Sequence, residues 1–248
     1  MFKAIFPEGK VWKNIIEAIS VLVDEGVFIA TPGEIKLRAM DPSRVAMVDL
    51  EIPSSAFESY ECDSEIPIGV NFDDMKSIVK RAKSDEKLEL EISQARLKIK
   101  LIGKFTRTFS MPLLDLGKEE LSIPKISFSV NTRLLTSALE EAIKDAEVVS
   151  DFIKIIAEND LLKIMASGDR GEVEIEITKD SGELLSIELK EPSHALYSLN
   201  YLKKMMTATD LSDVCTLMFS TDMPLRLDFN MAIGGKVTYY LAPRMEAE

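Results

Sequence analysis

Histidine and cysteine are almost missing from this chain: 248 residues contain one histidine, His194, and two cysteines, Cys62 and Cys215. A single histidine excludes a histidine-rich metal site, and it excludes a Cys–His pair supported by a second histidine. The cysteines lie in different halves without a CxxC partner, so both are expected to be buried, reduced packing residues. Apolar runs are short as well. None approaches the roughly 18 residues of a membrane span, and the opening MFKAIFPEGK places an acid and a proline where a signal peptide needs its apolar stretch. A cytosolic protein with no membrane association is the expectation.

Phosphate-binding and acid–base motifs are lacking too. The Gly-Lys pairs at Gly9, Gly103, Gly117 and Gly235 have Ala4, Lys98, Pro112 and Asn230 where a P-loop needs its first glycine, and no Ser or Thr follows. The acidic pairs Asp73–Asp74, Glu119–Glu120 and Glu140–Glu141 have the chemistry for Mg²⁺ or proton transfer. In a chain with 42 acidic against 30 basic residues, a solvated face explains them better. No catalytic constellation assembles, so the chain is read as no enzyme, with no cofactor and no metal.

What is present is alternation. Leu88, Leu90, Ile92; Leu97, Ile99, Leu101; Val173, Ile175, Ile177; and Leu225, Leu227, Phe229 repeat every second residue, the pattern of half-buried antiparallel strands. Between the strands lie four segments with helical spacing: Trp12, Ile15, Ile16, Ile19; Phe72, Met75, Val79, Ala82; Leu135, Ala138, Leu139, Ala142; and Leu199, Leu202, Met205, Met206. Each predicts an amphipathic helix of about three turns. The second should start near Phe72, because Asn71 can cap free N–H groups and Asp73 and Asp74 suit the positive end of the helix dipole.

The length favours two domains. The stretch Met111 to Lys125, with two prolines and a glycine, breaks both periodicities near the middle and reads as a linker. The expected boundaries are 1–110, a connecting linker 111–125, and 126–248. The halves look like copies: Gly26 to Ile52 lies against Asp151 to Ile177 at equal length, Arg44 and Arg170 follow corresponding turns, and Leu50 and Ile52 answer Ile175 and Ile177. A repeat of this size implies two domains of one fold.

The segments LRAMDPSRVAMVDLEIP and KVTYYLAPRMEAE, the MFKA start, the VNFDDMKSIVKRA helix, the LSIP linker end and STDMPLRL resemble the archaeal and eukaryotic sliding clamps of the proliferating cell nuclear antigen family. The resemblance runs over essentially the whole chain. It implies an α+β DNA-clamp fold: two similar domains, each with two helices packed on antiparallel sheets, and three subunits closing head to tail into a ring with the helices lining the hole. The implied function is a processivity factor that encircles double-stranded DNA without sequence preference and tethers DNA polymerase and other replication and repair proteins. The rival readings are a clamp-fold scaffold that does not encircle DNA and an enzyme with an acidic metal site.

A net charge of −12 opposes nucleic-acid binding unless positive charge is concentrated. The resemblance places it on the helices, with Lys13, Lys76, Lys80, Lys144 and Lys203 on their polar faces and Arg81, Lys83 and Lys204 beside them. Ser20 and Thr207 stand where many relatives have lysine, and Glu17 and Glu141 lie close to the implied channel face. Partner peptides are implied to dock in a pocket of Met40, Arg44, Val45, Leu121, Ile123, Pro124, Pro224, Tyr240, Ala242, Pro243 and Arg244; relatives often have histidine at the position of Arg44. The subunit contact is implied between the edge strand carrying Arg107, Thr108 and Phe109 and the strand carrying Val173, Ile175 and Ile177 of the next copy. Clamp loader, flap endonuclease and DNA ligase are implied as further partners through short peptide motifs. The implied location is cytoplasmic and nucleoid-associated in an archaeon, nuclear in a eukaryote.

Overall fold

Alternating side chains build sheets, and the computed structural model, which describes residues 1–117 and 121–245, has strands at every alternating run singled out above. The acidic pair Glu119–Glu120 lies outside the described residues. The chain divides into two units, one of Met1–Pro42, Val48–Ser122 and Met231–Val237, the other of Ser43–Met47, Ile123–Asn230 and the segment from Thr238 on.

In the first unit the order is β1 (Phe2–Phe6), α1 (Gly9–Ile19), β2 (Glu25–Thr31), β3 (Glu34–Met40), β4 (Ala46–Pro53), β5 (Ser59–Cys62), β6 (Ile66–Asn71), α2 (Phe72–Val79), β7 (Lys87–Ser93), β8 (Arg96–Ile102) and β9 (Thr106–Pro112). Neighbours run β5-β1-β7-β8-β9 and β4-β3-β2-β6. The second unit repeats this element for element: β10 (Val130–Leu135), α3 (Thr136–Glu147), β11 (Phe152–Glu158), β12 (Leu161–Gly168), β13 (Gly171–Ile177), β14 (Leu184–Leu189), β15 (Ser193–Ser198), α4 (Leu199–Met205), β16 (Val214–Phe219), β17 (Leu225–Asn230) and β18 (Lys236–Leu241). Its neighbours run β14-β10-β16-β17-β18 and β13-β12-β11-β15. The aligned segments Gly26–Ile52 and Asp151–Ile177 fall on β2–β4 and β11–β13, with Arg44 and Arg170 in the turns before β4 and β13.

Each helix pair covers sheet with its apolar stripe. From α1, Trp12, Ile15, Ile16 and Ile19 are buried, and the Trp12 ring lies 5.1 Å from Phe6 and 5.5 Å from Phe28. Phe72 at the start of α2 meets Phe28 edge-on at 6.0 Å, which joins both helices to one aromatic cluster. Fully burying such a side chain is worth roughly 1.5–3 kcal/mol, so truncating Trp12 to Ala, which also leaves a cavity, costs about 3–5 kcal/mol.

The α2 start is as expected: the Asn71 side chain accepts hydrogen bonds from the N–H groups of Asp73 and Asp74 at 3.0 and 3.1 Å. Two lengths differ from expectation. α2 has 8 residues, because Arg81 and Ala82 donate to carbonyls three residues back and tighten the last turn. α4 has 7 and passes into a 3-10 turn at Met206–Leu211, where β-branched Thr207 and Thr209 disfavour the wider helix. In α3 the buried stripe is Thr136, Leu139, Ala142, Ile143 and Ala146; Leu135 ends β10, and Ala138 is half-buried. Cys215 is buried as expected. Cys62 is half-buried instead, its thiol near the Ser64 carbonyl at 3.0 Å, because β5 is a sheet edge with an open face.

Candidate nucleic-acid and partner surfaces

The helix faces opposite the apolar stripes carry the cations. α1 and α2 pack together in the first unit, and α3 and α4 in the second. Lys10, Lys80, Arg81 and Lys83 are exposed in the first, Lys144, Lys203 and Lys204 in the second, and Lys13 and Lys76 are half-buried. Several are already engaged. Lys13 lies 3.6 Å from Glu17, Lys76 2.9 Å from Asp73, Lys144 2.6 Å from Glu140, and Lys203 2.5 Å from Glu147. Lys204 stands 5.7 Å above the Tyr201 ring. Lys80 and Lys83 form no side-chain ion pair among the described residues.

A groove of about 570 Å³ opens on β2 and β3 of the first unit, lined by Val27, Ile29, Met40, Leu116 and Leu121 with Lys36, Arg38 and Asp49 among its polar residues. The segment after β9 forms one wall because the chain is tied down there. Leu114 donates to the Gly69 carbonyl at 2.9 Å, and a Cβ on Gly69 would stand only 2.1 Å from the Leu114 oxygen. Farther on, Arg38 donates from Nη1 to the Leu121 carbonyl and from Nε to Asp49, both at 2.8 Å. A hydrogen bond to Glu34 raises the Lys36 ammonium above its ordinary value, so it stays charged beside the groove.

Of the eleven residues expected to form the peptide pocket, Met40 and Leu121 line this groove. The other nine belong to the second unit. There Ala242 donates to the Val45 carbonyl at 2.9 Å, Tyr240 is buried with Arg226 5.9 Å over its ring, and Arg44 is exposed with a left-handed backbone (φ 57°). Ile123 is 40% exposed, while Pro124, Pro224 and Pro243 are half-buried. Arg244 is held by its N–H on the Leu196 carbonyl at 2.8 Å, and its guanidinium sits 3.8 Å from the centre of the Phe152 ring.

Both strands expected at the subunit contact are sheet edges: β9 closes one end of β5-β1-β7-β8-β9, and β13 closes one end of β13-β12-β11-β15. β9 extends through Pro112, so Met111 and Pro112 are strand residues. Thr108 is exposed and Phe109 half-buried; Val173 and Ile175 are half-buried, whereas Ile177 is buried within its own unit against Leu162. Arg107 is committed locally, donating to Glu86 at 2.5 Å and to the Arg81 carbonyl at 3.2 Å.

Two models of the family described as proliferating cell nuclear antigen match the chain, the N-terminal domain over residues 1–115 and the C-terminal domain over 122–244. The chain belongs to the proliferating cell nuclear antigen family. A DNA polymerase sliding clamp of Thermofilum pendens is 44% identical over 247 residues, covering 99% of this chain and 100% of the relative. One from Pyrococcus furiosus is 38% identical over 246 residues, covering 99% of each. The crystal structure of the antigen from Thermococcus kodakaraensis superposes with a TM-score of 0.94 at 31% identity, covering 98% of this chain and all of that one. Membership makes this chain a sliding clamp, a processivity factor and not an enzyme, and it accounts for the duplicated unit. Among the described residues no helix is long and apolar enough to cross a membrane, and no group of three or more His, Cys, Asp or Glu is placed to hold a metal.

Sequence reasoning missed Arg38 and Asp49. The signal was available in part: Arg38 sits between buried Leu37 and the segment leading to Met40, so alternation points its side chain to the open face of β3. That Asp49 is 4% exposed and answers it from β4 is a tertiary fact.

Proposed function

We propose that three copies of this chain close head to tail into a ring whose helices face duplex DNA, and that replication and repair proteins dock through short peptides at the linker groove. The boundaries we propose are 1–110 and 126–248 for the two clamp domains and 111–125 for the connecting linker. The observation that carries the reading is the exact repetition of strand pairing: β1 lies between β5 and β7 as β10 lies between β14 and β16, and each unit sets two amphipathic helices side by side. Duplicated helix pairs suit a lining that meets phosphate in the same way all round a helical duplex. Lys13, Lys76, Lys80, Arg81, Lys83, Lys144, Lys203 and Lys204 would contact phosphates, which supply affinity but carry no sequence information.

Two of the sheet edges, β9 and β13, suit closure of the ring. Phe109 and its neighbours Arg107 and Thr108 on β9 would pair with Val173, Ile175 and Ile177 on β13 of the next copy, a heterologous contact that closes. For the partner site, the aliphatic groove that Met40 and Leu121 line suits an apolar anchor on a client peptide, and Arg44, Val45, Ile123, Pro124, Pro224, Tyr240, Ala242, Pro243 and Arg244 are the further pocket residues we propose. DNA polymerase is the client implied by the relatives' name; clamp loader, flap endonuclease and DNA ligase are the others we propose. The archaeal relatives support a cytoplasmic location, and nucleoid association is what we propose.

Retention on DNA tests the ring. Loaded clamp should remain on closed circular DNA through a high-salt wash and leave linear DNA with free ends. Equal retention on the two would overturn encirclement and leave the scaffold reading, which the net charge of −12 and the carboxylates on the helices favour.

A further inference from the structure

Every one of the four helices carries a lysine that is already spoken for. Lys13 is paired with Glu17 within α1, Lys76 with Asp73 within α2, Lys144 with Glu140 within α3, and Lys203 of α4 with Glu147 of α3. Lys80 and Lys83, which follow α2, are exposed and form no ion pair among the described residues. The helix cations therefore fall into two kinds. The distinction matters only on the proposed reading that these helices face DNA.

We infer that Glu17, Asp73, Glu140 and Glu147 set the clamp's grip on DNA: each holds a helix lysine as an ion pair that must open before the ammonium meets a phosphate. The standing phosphate contacts are then Lys80, Arg81, Lys83 and Lys204. A lysine that leaves a carboxylate for a phosphate exchanges one anion for another. It also leaves the carboxylate unpaired beside the DNA, where like charges repel. Its gain is correspondingly small, and it contributes little to the counterion release that drives binding. The Lys144 and Lys203 pairs are open to solvent, with those side chains 62% and 59% exposed, so they are weak and exchange readily. They attenuate binding without abolishing it, which suits a protein that must move along DNA while held on it by topology.

The test is equilibrium binding of the full-length protein to a short linear duplex of mixed sequence over a salt series. One variant combines Glu17→Gln, Asp73→Asn, Glu140→Gln and Glu147→Gln. A control of equal charge carries Glu61→Gln, Glu158→Gln, Asp180→Asn and Glu188→Gln, which lie outside the helices. The helix variant should bind at least about tenfold more tightly than the control at low salt, and its log–log salt slope should steepen by up to about 0.9 for each lysine released. If the combined variant is poorly folded, Glu140→Gln alone should show the same sign with a smaller change. Identical affinity and slope in helix variant and control would overturn the inference. A Lys80→Glu, Lys83→Glu variant separates this from the underlying reading. Loss of binding there with no gain in the amide variant defeats only the attenuation, whereas unchanged binding in all variants defeats the DNA-facing helices as well.

Discussion

Arg38 and Leu121 are 83 positions apart in sequence, yet the guanidinium of one donates to the carbonyl of the other at 2.8 Å while its second arm rests on Asp49. This fork fastens the linker to β3 beside the groove that Leu121 and Met40 line. Charge-assisted hydrogen bonds of this sort contribute about 1.5–3 kcal/mol. Arg38→Ala should leave the fold intact, weaken a client peptide about tenfold, and speed amide exchange around Leu121. Arg38→Lys should not restore binding, since an ammonium cannot span both acceptors in one plane. Hydrogen exchange and calorimetry together check this; unaltered exchange would show that the linker is held by other contacts.

Replacing Leu121 and Ile123 together with Ala should weaken client peptides by about tenfold or more, because each side chain is worth ~1.5–3 kcal/mol when fully buried by a ligand. The assembly should survive, since neither residue lies on β9 or β13. Peptide titration alongside a mass measurement decides it, and an intact peptide affinity would move the docking site elsewhere.

Phe109→Asp should yield folded monomers. The residue is half-buried on the edge strand β9 opposite Ile99, so a carboxylate there is tolerated by its own unit but not by a second strand edge packed against it. Sedimentation should show loss of the trimer with an unchanged circular dichroism spectrum. A variant that remains trimeric would put the contact on a different strand.

Cys215 offers a pH prediction. Burial pushes its thiol up to about 12, above the ordinary value of 9.0. The folded state thus holds this proton more tightly than the unfolded chain, so the stabilisation is complete below the unfolded value and is lost as pH rises through the folded one. Melting temperature should fall from about pH 9 upward, and Cys215→Ser should alter that slope. At neutral pH an alkylating reagent should reach Cys62 first and Cys215 only on unfolding.

The elements and their duplication are legible along the chain alone. Strand alternation is a local property with a period of two residues, and the α2 start depends on Asn71, Asp73 and Asp74, which are neighbours in the chain. The repeat of Gly26–Ile52 at Asp151–Ile177 needed only comparison of the chain with itself. The pairing of charges and the long-range ties arise only on folding. Lys203 meets Glu147 and Arg38 meets Leu121 across long stretches of chain, and Arg244 turns onto Phe152, which no spacing rule anticipates. It also decided that Ile177 is buried within its own unit while Phe109, on an equally alternating strand, keeps an open side. Periodicity says which face a side chain takes, but what lies opposite that face is set by packing between distant segments.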